Sequence, residues 1–210
     1  MHTTRLTFRK ILFLGNSITR HPPKPEIGWT NNFGMAASAQ EKDYVHLLLQ
    51  RFTHAAGGKA PEARIENIAE FEREYATYQI AARLKDAAAF QADTVFLCIS
   101  ENVPKLATQA EQDRFKVVVK ELLVLVKGNG TPALYVRSGF WPDEVKDGIL
   151  KQVCTELSGT FVDISHLDAD EKNHARSEQK FENSDVAGHP GDAGMAAIAE
   201  AIWGAVAGKK

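Results

Sequence analysis

The chain has 210 residues, 44% of them hydrophobic, which fits one large domain with a substantial buried core. Its 25 basic and 27 acidic residues leave a formal charge of -2, so bulk charge offers no attraction to nucleic acid or to an anionic membrane surface. The two cysteines, Cys98 in an apolar run and Cys154 in a helical pattern, read as small buried hydrophobes rather than a disulfide framework or a metal site.

The N-terminus is polar and basic, and its apolar segment, Ile11 to Leu14, is too short for a signal-peptide core or a membrane span. The chain as given is therefore expected to be soluble and cytoplasmic, or exported if a leader has been removed. Ile11 to Leu14 reads as a buried strand that stops at Gly15-Asn16-Ser17. A loop rich in Pro and Gly follows, carrying Trp29, and Glu41 to Phe52 then reads as an amphipathic helix with Tyr44, Val45, Leu48 and Phe52 on one face. Gly57-Gly58 ends it, and Ala63 to Ile68 is a second strand.

Residues 69 to 89 read as one helix, whose early Glu70, Glu72 and Glu74 suit a helix N-terminus better than they suit catalysis. Asp93 to Ile99 is the most hydrophobic strand and is expected at the centre of the sheet. Thr108 to Val126 is a long helix closed by Gly128-Asn129-Gly130. A strand at Ala133 to Val136, a helix at Asp143 to Leu157 and a short strand at Thr160 to Ile164 come next. Residues 165 to 188 form a polar excursion, and Asp192 to Ala207 is the last helix. Strands alternating with helices in this way predict a single α/β domain over residues 1–210, three layers deep around a mostly parallel sheet.

In such a sheet, ligands bind beyond the carboxyl ends of the strands. Ser17 stands at one such end, Asn102 at another, and His189 just before the last helix. A hydroxyl needs an adjacent base to become a nucleophile, and an oxyanion needs fixed donors, so these residue types in these places are suited to acyl transfer. Each also has a plainer reading: Asn16-Ser17 can cap a helix, and a histidine before a helix can be structural.

Gly15-Asn16-Ser17-Ile18 resembles the first sequence block of the SGNH (GDSL-like) hydrolases, Ser100-Glu101-Asn102-Val103 their third, and Asp185 to Pro190 their last. The blocks occur in the family's order and span nearly the whole chain. The resemblance implies a flavodoxin-like sheet of five parallel strands and a serine esterase or lipase that needs no metal or organic cofactor. It implies Ser17 as nucleophile, His189 as general base, and an oxyanion hole made of the backbone N–H of Ser17, that of Ala69 and the side-chain amide of Asn102.

Three positions depart from the family pattern. Ala69 stands where the second block has glycine, and Ser100 where the third has glycine. The family spacing Asp-x-x-His would put the acid at Val186, and the nearest aspartate, Asp185, is one residue further away. Either Asp185 still reaches the imidazole or a backbone carbonyl orients His189 in a Ser–His dyad. Asp192 suits the helix start better.

The substrate implied is a small-molecule ester, with a small acyl group such as acetyl on a carbohydrate or similar alcohol; nucleic acid and membrane partners are not expected. Trp29, Phe140 and Trp141 on strand-end loops either face a sugar or acyl group or seal the loops onto the core. Lys24 and Arg137 are isolated basic residues able to meet an anionic substrate group. The alternatives are a carbohydrate-binding protein that keeps the fold without turnover, and an acyl hydrolase of the lysophospholipase or thioesterase type.

Overall fold

The computed structural model describes residues 8–208; the polar segment before residue 8 lies outside them. Five strands form one sheet: β1 (Lys10–Gly15), β2 (Glu62–Asn67), β3 (Thr94–Cys98), β4 (Ala133–Arg137) and β5 (Thr160–Val162). Their order is β2-β1-β3-β4-β5 and every pair is parallel, with β3 at the centre as its continuous apolar run predicts.

Alternating side chains of each strand feed two separate cores. Ile11 and Phe13 of β1 join Phe96, Cys98 and Tyr135 beneath α1 (Tyr44–Ala55) and the last helix, α8 (Asp192–Val206). Leu12 and Leu14 join Val95, Leu97 and Val136 beneath the helices of the opposite face. The result is a three-layer α/β/α fold. Phe13, Phe96 and Tyr135 stand in register on three neighbouring strands and stack at 4.9 and 5.1 Å, each aromatic contact adding about 0.5–1.5 kcal/mol beyond burial.

The helix expected over residues 69–89 is three short ones, α2 (Ala69–Glu74), α3 (Ile80–Arg83) and α4 (Lys85–Ala89). Phe71, Tyr75 and Tyr78 cause the break. Their rings pack edge-on, Phe71 on Tyr78 and Tyr75 on Phe115, and this tertiary packing overrides local helical preference. The long helix is α5 (Gln109–Lys127), opened by a capping box of Thr108 and Glu111, and α6 (Glu144–Glu156) is capped by Asp143. The polar excursion after β5 consists of three 3-10 turns and one short helix, α7 (Ser184–Gly188). No helix among the described residues is long and apolar enough to cross a membrane.

Candidate active site

The turn after β1 is built around Asn16. Its backbone carbonyl accepts from the amides of Thr19 and Arg20, and its side-chain oxygen accepts from the amide of Ile18. The turn fits tightly against β3: a Cβ on Gly15 would overlap Thr19 and touch the carbonyl of Cys98, so only glycine fits. Ser17 is thereby lifted to the carboxyl edge of the sheet, half-buried. Its amide N–H donates to no acceptor among the described residues.

His189 comes to Ser17 from the far end of the chain. Ser17 Oγ and His189 Nε2 lie 2.8 Å apart across 172 residues of sequence. The polar excursion holds the imidazole there: the Ala175 amide donates to the carbonyl of His189, the Gly191 amide donates to the carbonyl of Asn173, and His174 Nδ1 meets the carbonyl of Gly188 at 3.0 Å. Trp141 packs edge-on against the imidazole at 5.2 Å. Burial, the largest influence, pushes the His189 pKa below its ordinary value, opposed by the Asp185 carbonyl, by Glu101 and least by the Asp185 carboxylate, and assisted by His21. A neutral imidazole 2.8 Å from a hydroxyl can take up its proton.

The third member differs from a side-chain acid. His189 Nδ1 donates to the backbone carbonyl of Asp185 at 2.6 Å, and the Asp185 side chain is on the exposed face of α7. With one residue more than the family spacing, the segment before His189 runs as the short helix α7 (Ser184–Gly188), and the carbonyl rather than the carboxylate of Asp185 meets the ring. Asp192 is engaged elsewhere, accepting from the Ser38 amide and hydroxyl and from Lys42. Glu178, not Asp192, accepts from the first amides of α8.

Of the three donors expected around an oxyanion, two have a hydrogen to give. The amide of Ala69 donates to Asn67 Oδ1 at 2.9 Å, the Asn67 side chain folding back over the turn into α2. The side-chain nitrogen of Asn102 donates to Glu72 Oε2 at 2.8 Å and, carrying two hydrogens, keeps a second.

Beneath these residues lies a buried polar cluster that the sequence pattern did not reveal. Glu72 is fully buried, the reverse of an exposed helix-capping acid. Asn16 Nδ2 bridges it to a second buried carboxylate, at 3.2 Å to Glu72 Oε1 and 2.6 Å to Glu101 Oε2. Arg137 Nη1 pairs with Glu101 at 2.6 Å, both side chains within 2% of complete burial. The pairing holds Glu101 below the usual carboxylate range despite its burial. Glu72 has no such cation; burial, with Glu101 nearby, pushes its pKa up to about 7. Arg137 is therefore a counter-ion and is withdrawn from any substrate. Ser100, where the family has glycine, has φ of 141°, a strained conformation costing about 1–3 kcal/mol.

Trp29 is 3% exposed and donates to the carbonyl of His21, sealing its loop, and Phe140 is wholly buried. Only Trp141 of the three aromatic candidates borders the Ser17–His189 pair. Lys24 is exposed and pairs through its backbone with Trp29. Cys98 and Cys154 are free and buried. Among the described residues no group of three or more His, Cys, Asp or Glu side chains is placed to hold a metal ion.

No protein-family model and no curated protein matches the sequence. Solved structures do match. A two-domain esterase active on acetylated mannans superposes over 96% of this chain at a TM-score of 0.65 and 16% identity, and the chain spans 49% of that protein's length. A protein from Parabacteroides merdae ATCC 43184 described as a GDSL-like lipase matches over 97% of both chains at 0.56 and 19%. An extracellular lipase from Streptomyces rimosus matches over 94% of this chain and 99% of its own, at 0.56 and 10%. The sheet order, the three layers and these superpositions together give the chain the fold of the SGNH, or GDSL-like, esterases and lipases.

Proposed function

We propose that the protein is a serine ester hydrolase that removes a small acyl group, acetyl in the first instance, from a carbohydrate or similar alcohol. The observation that carries this reading is the 2.8 Å contact between Ser17 Oγ and His189 Nε2 at the carboxyl edge of the sheet. Ser17 attacks the ester carbonyl while His189 takes its proton; His189 then returns that proton to the departing alcohol, leaving Ser17 acylated. Water, deprotonated by the same imidazole, attacks the acyl-enzyme and releases the carboxylic acid. The Ser17 amide and the free hydrogen of Asn102 Nδ2 stabilise the oxyanion in both halves. His189 is oriented by the Asp185 carbonyl, so the centre works as a Ser–His dyad.

The esterase active on acetylated mannans among the superposed structures supports the acetyl and carbohydrate choice. So does Trp141, a half-buried ring beside His189 on which a sugar can stack. The test is hydrolysis of p-nitrophenyl acetate and of acetylated oligosaccharides, against fatty acyl esters, with fluorophosphonate labelling of Ser17. Wild type turns over the short esters and is labelled, and Ser17→Ala and His189→Ala lose at least about 10³-fold in rate. Full activity in Ser17→Ala removes the proposal. Binding of acetylated sugar without labelling or turnover identifies a binding protein instead.

A further inference from the structure

Glu72 lies in the first turn of a six-residue helix, yet its side chain leaves the helix and is fully buried beneath two strand-end loops. Four N–H groups converge on it. Oε1 accepts from Asn16 Nδ2 at 3.2 Å, the Ser100 amide at 2.8 Å and the Asn102 amide at 3.2 Å, and Oε2 accepts from Asn102 Nδ2 at 2.8 Å. Those donors belong to the turn that presents Ser17 and to the loop that presents Asn102. A carboxylate is costly to bury, and one acceptor would suffice to hold a loop. What this one does beyond that concerns the orientation of an amide.

The side-chain amide of asparagine has a nitrogen and an oxygen of nearly the same shape, and rotation by a half-turn exchanges them. Toward an oxyanion the two ends are opposite in effect, since N–H stabilises the developing charge and C=O repels it. An ionised carboxylate accepts and cannot donate, so Glu72 Oε2 admits only the nitrogen end of Asn102. We infer that Glu72 is a positioning residue that fixes the amide orientation of Asn102 and thereby sets the oxyanion hole. The backbone bonds to Ser100 and Asn102 hold the loop itself, including the strained φ of 141° at Ser100. Asn16 ties the same carboxylate to the turn of Ser17, so that nucleophile and oxyanion donor share one anchor. Glu72 touches no reacting atom and acts through Asn102.

The inference rests on the esterase reading, and a double-mutant cycle on p-nitrophenyl acetate separates the two. Glu72→Gln presents a donor as well as an acceptor and loses the power to select the nitrogen end. It is expected to lower kcat about 10²-fold, the scale of losing one oxyanion donor, with KM within about threefold. In the Asn102→Ala background the same substitution is expected to cost no more than about threefold further, because the group it acts through is gone. Unchanged kcat in Glu72→Gln, or losses that multiply in the double variant, overturns the role of Glu72. If Glu72→Gln does not fold, Glu72→Asp replaces it in the cycle, keeping the carboxylate while shortening its reach to Asn102, with the same outcomes read the same way. A wild type that neither hydrolyses the ester nor labels at Ser17 instead removes the esterase reading.

Discussion

His189 Nδ1 is held at 2.6 Å by the backbone carbonyl of Asp185, while the carboxylate of that same residue belongs to the exposed surface of α7. A carbonyl can fix the tautomer and direction of an imidazole as a carboxylate does, but it brings no full charge to stabilise the imidazolium. In the proposed Ser–His dyad, the orientation of the base therefore depends on the shape of the turn before His189 more than on the side chain at 185.

Asp185→Asn should consequently leave kcat/KM for p-nitrophenyl acetate within about threefold of wild type. In a side-chain triad the equivalent change costs about 10⁴-fold. A loss approaching that size would show that the carboxylate, not the carbonyl, supports the base in solution.

The fold was legible because its signals are local and repeated. The apolar runs at Ile11 to Leu14 and Thr94 to Cys98 announced buried parallel strands, and glycines and capping residues marked the helix ends. The Ser17–His189 meeting was expected because polar residues at the carboxyl edge of such a sheet converge and because the blocks around Ser17, Asn102 and His189 resemble those of the SGNH hydrolases in their order. Glu72 was not legible: Glu70, Glu72 and Glu74 look alike in sequence, and only the docking of Phe71 and Tyr75 into the core decides that Glu72 turns inward. The carbonyl under His189 was one of two readings the spacing left open, since which end of Asp185 faces the ring depends on one turn of helix. The engagement of the Ala69 amide was not legible either, since it depends on the side chain of Asn67 two residues earlier folding back onto it.

Asn16 sits between two buried carboxylates and donates to both, so position 16 requires an amide in this chain. Asn16→Asp would place a third carboxylate in a cluster with one arginine. It should destabilise the protein by about 3–5 kcal/mol near neutral pH, comparable to breaking a buried ion pair. Urea denaturation measures the loss, and an unchanged midpoint would refute the bridging role.

Glu72 also ties stability to pH. Its folded pKa of about 7 lies above the ordinary 4.5, so between those values the folded protein keeps a proton that the unfolded chain releases. The associated stability is complete below pH 4.5 and is lost as pH rises through 7, amounting to about 3 kcal/mol at about 1.4 kcal/mol per pKa unit. Glu72→Gln does not ionise, so its unfolding free energy should change less than that of wild type between about pH 5 and about pH 8. Equal slopes in the two proteins would place the proton elsewhere.

The same ionisation should enter the rate. Protonated Glu72 no longer selects the nitrogen end of Asn102, so kcat/KM for p-nitrophenyl acetate should begin to fall as pH drops below about 7. A second fall belongs to His189, which must be neutral to act as a base and whose pKa is held below 6.5 chiefly by burial. Wild type is therefore expected to lose activity in two steps on the acid side, and Glu72→Gln, starting from a lower plateau, in the lower step alone. Fluorophosphonate labelling rates of Ser17 across the same pH range provide an independent reading. One acid step common to both proteins would break the link between Glu72 and the oxyanion hole, because a carboxylate that matters only to folding has no reason to appear in the pH profile of the reaction.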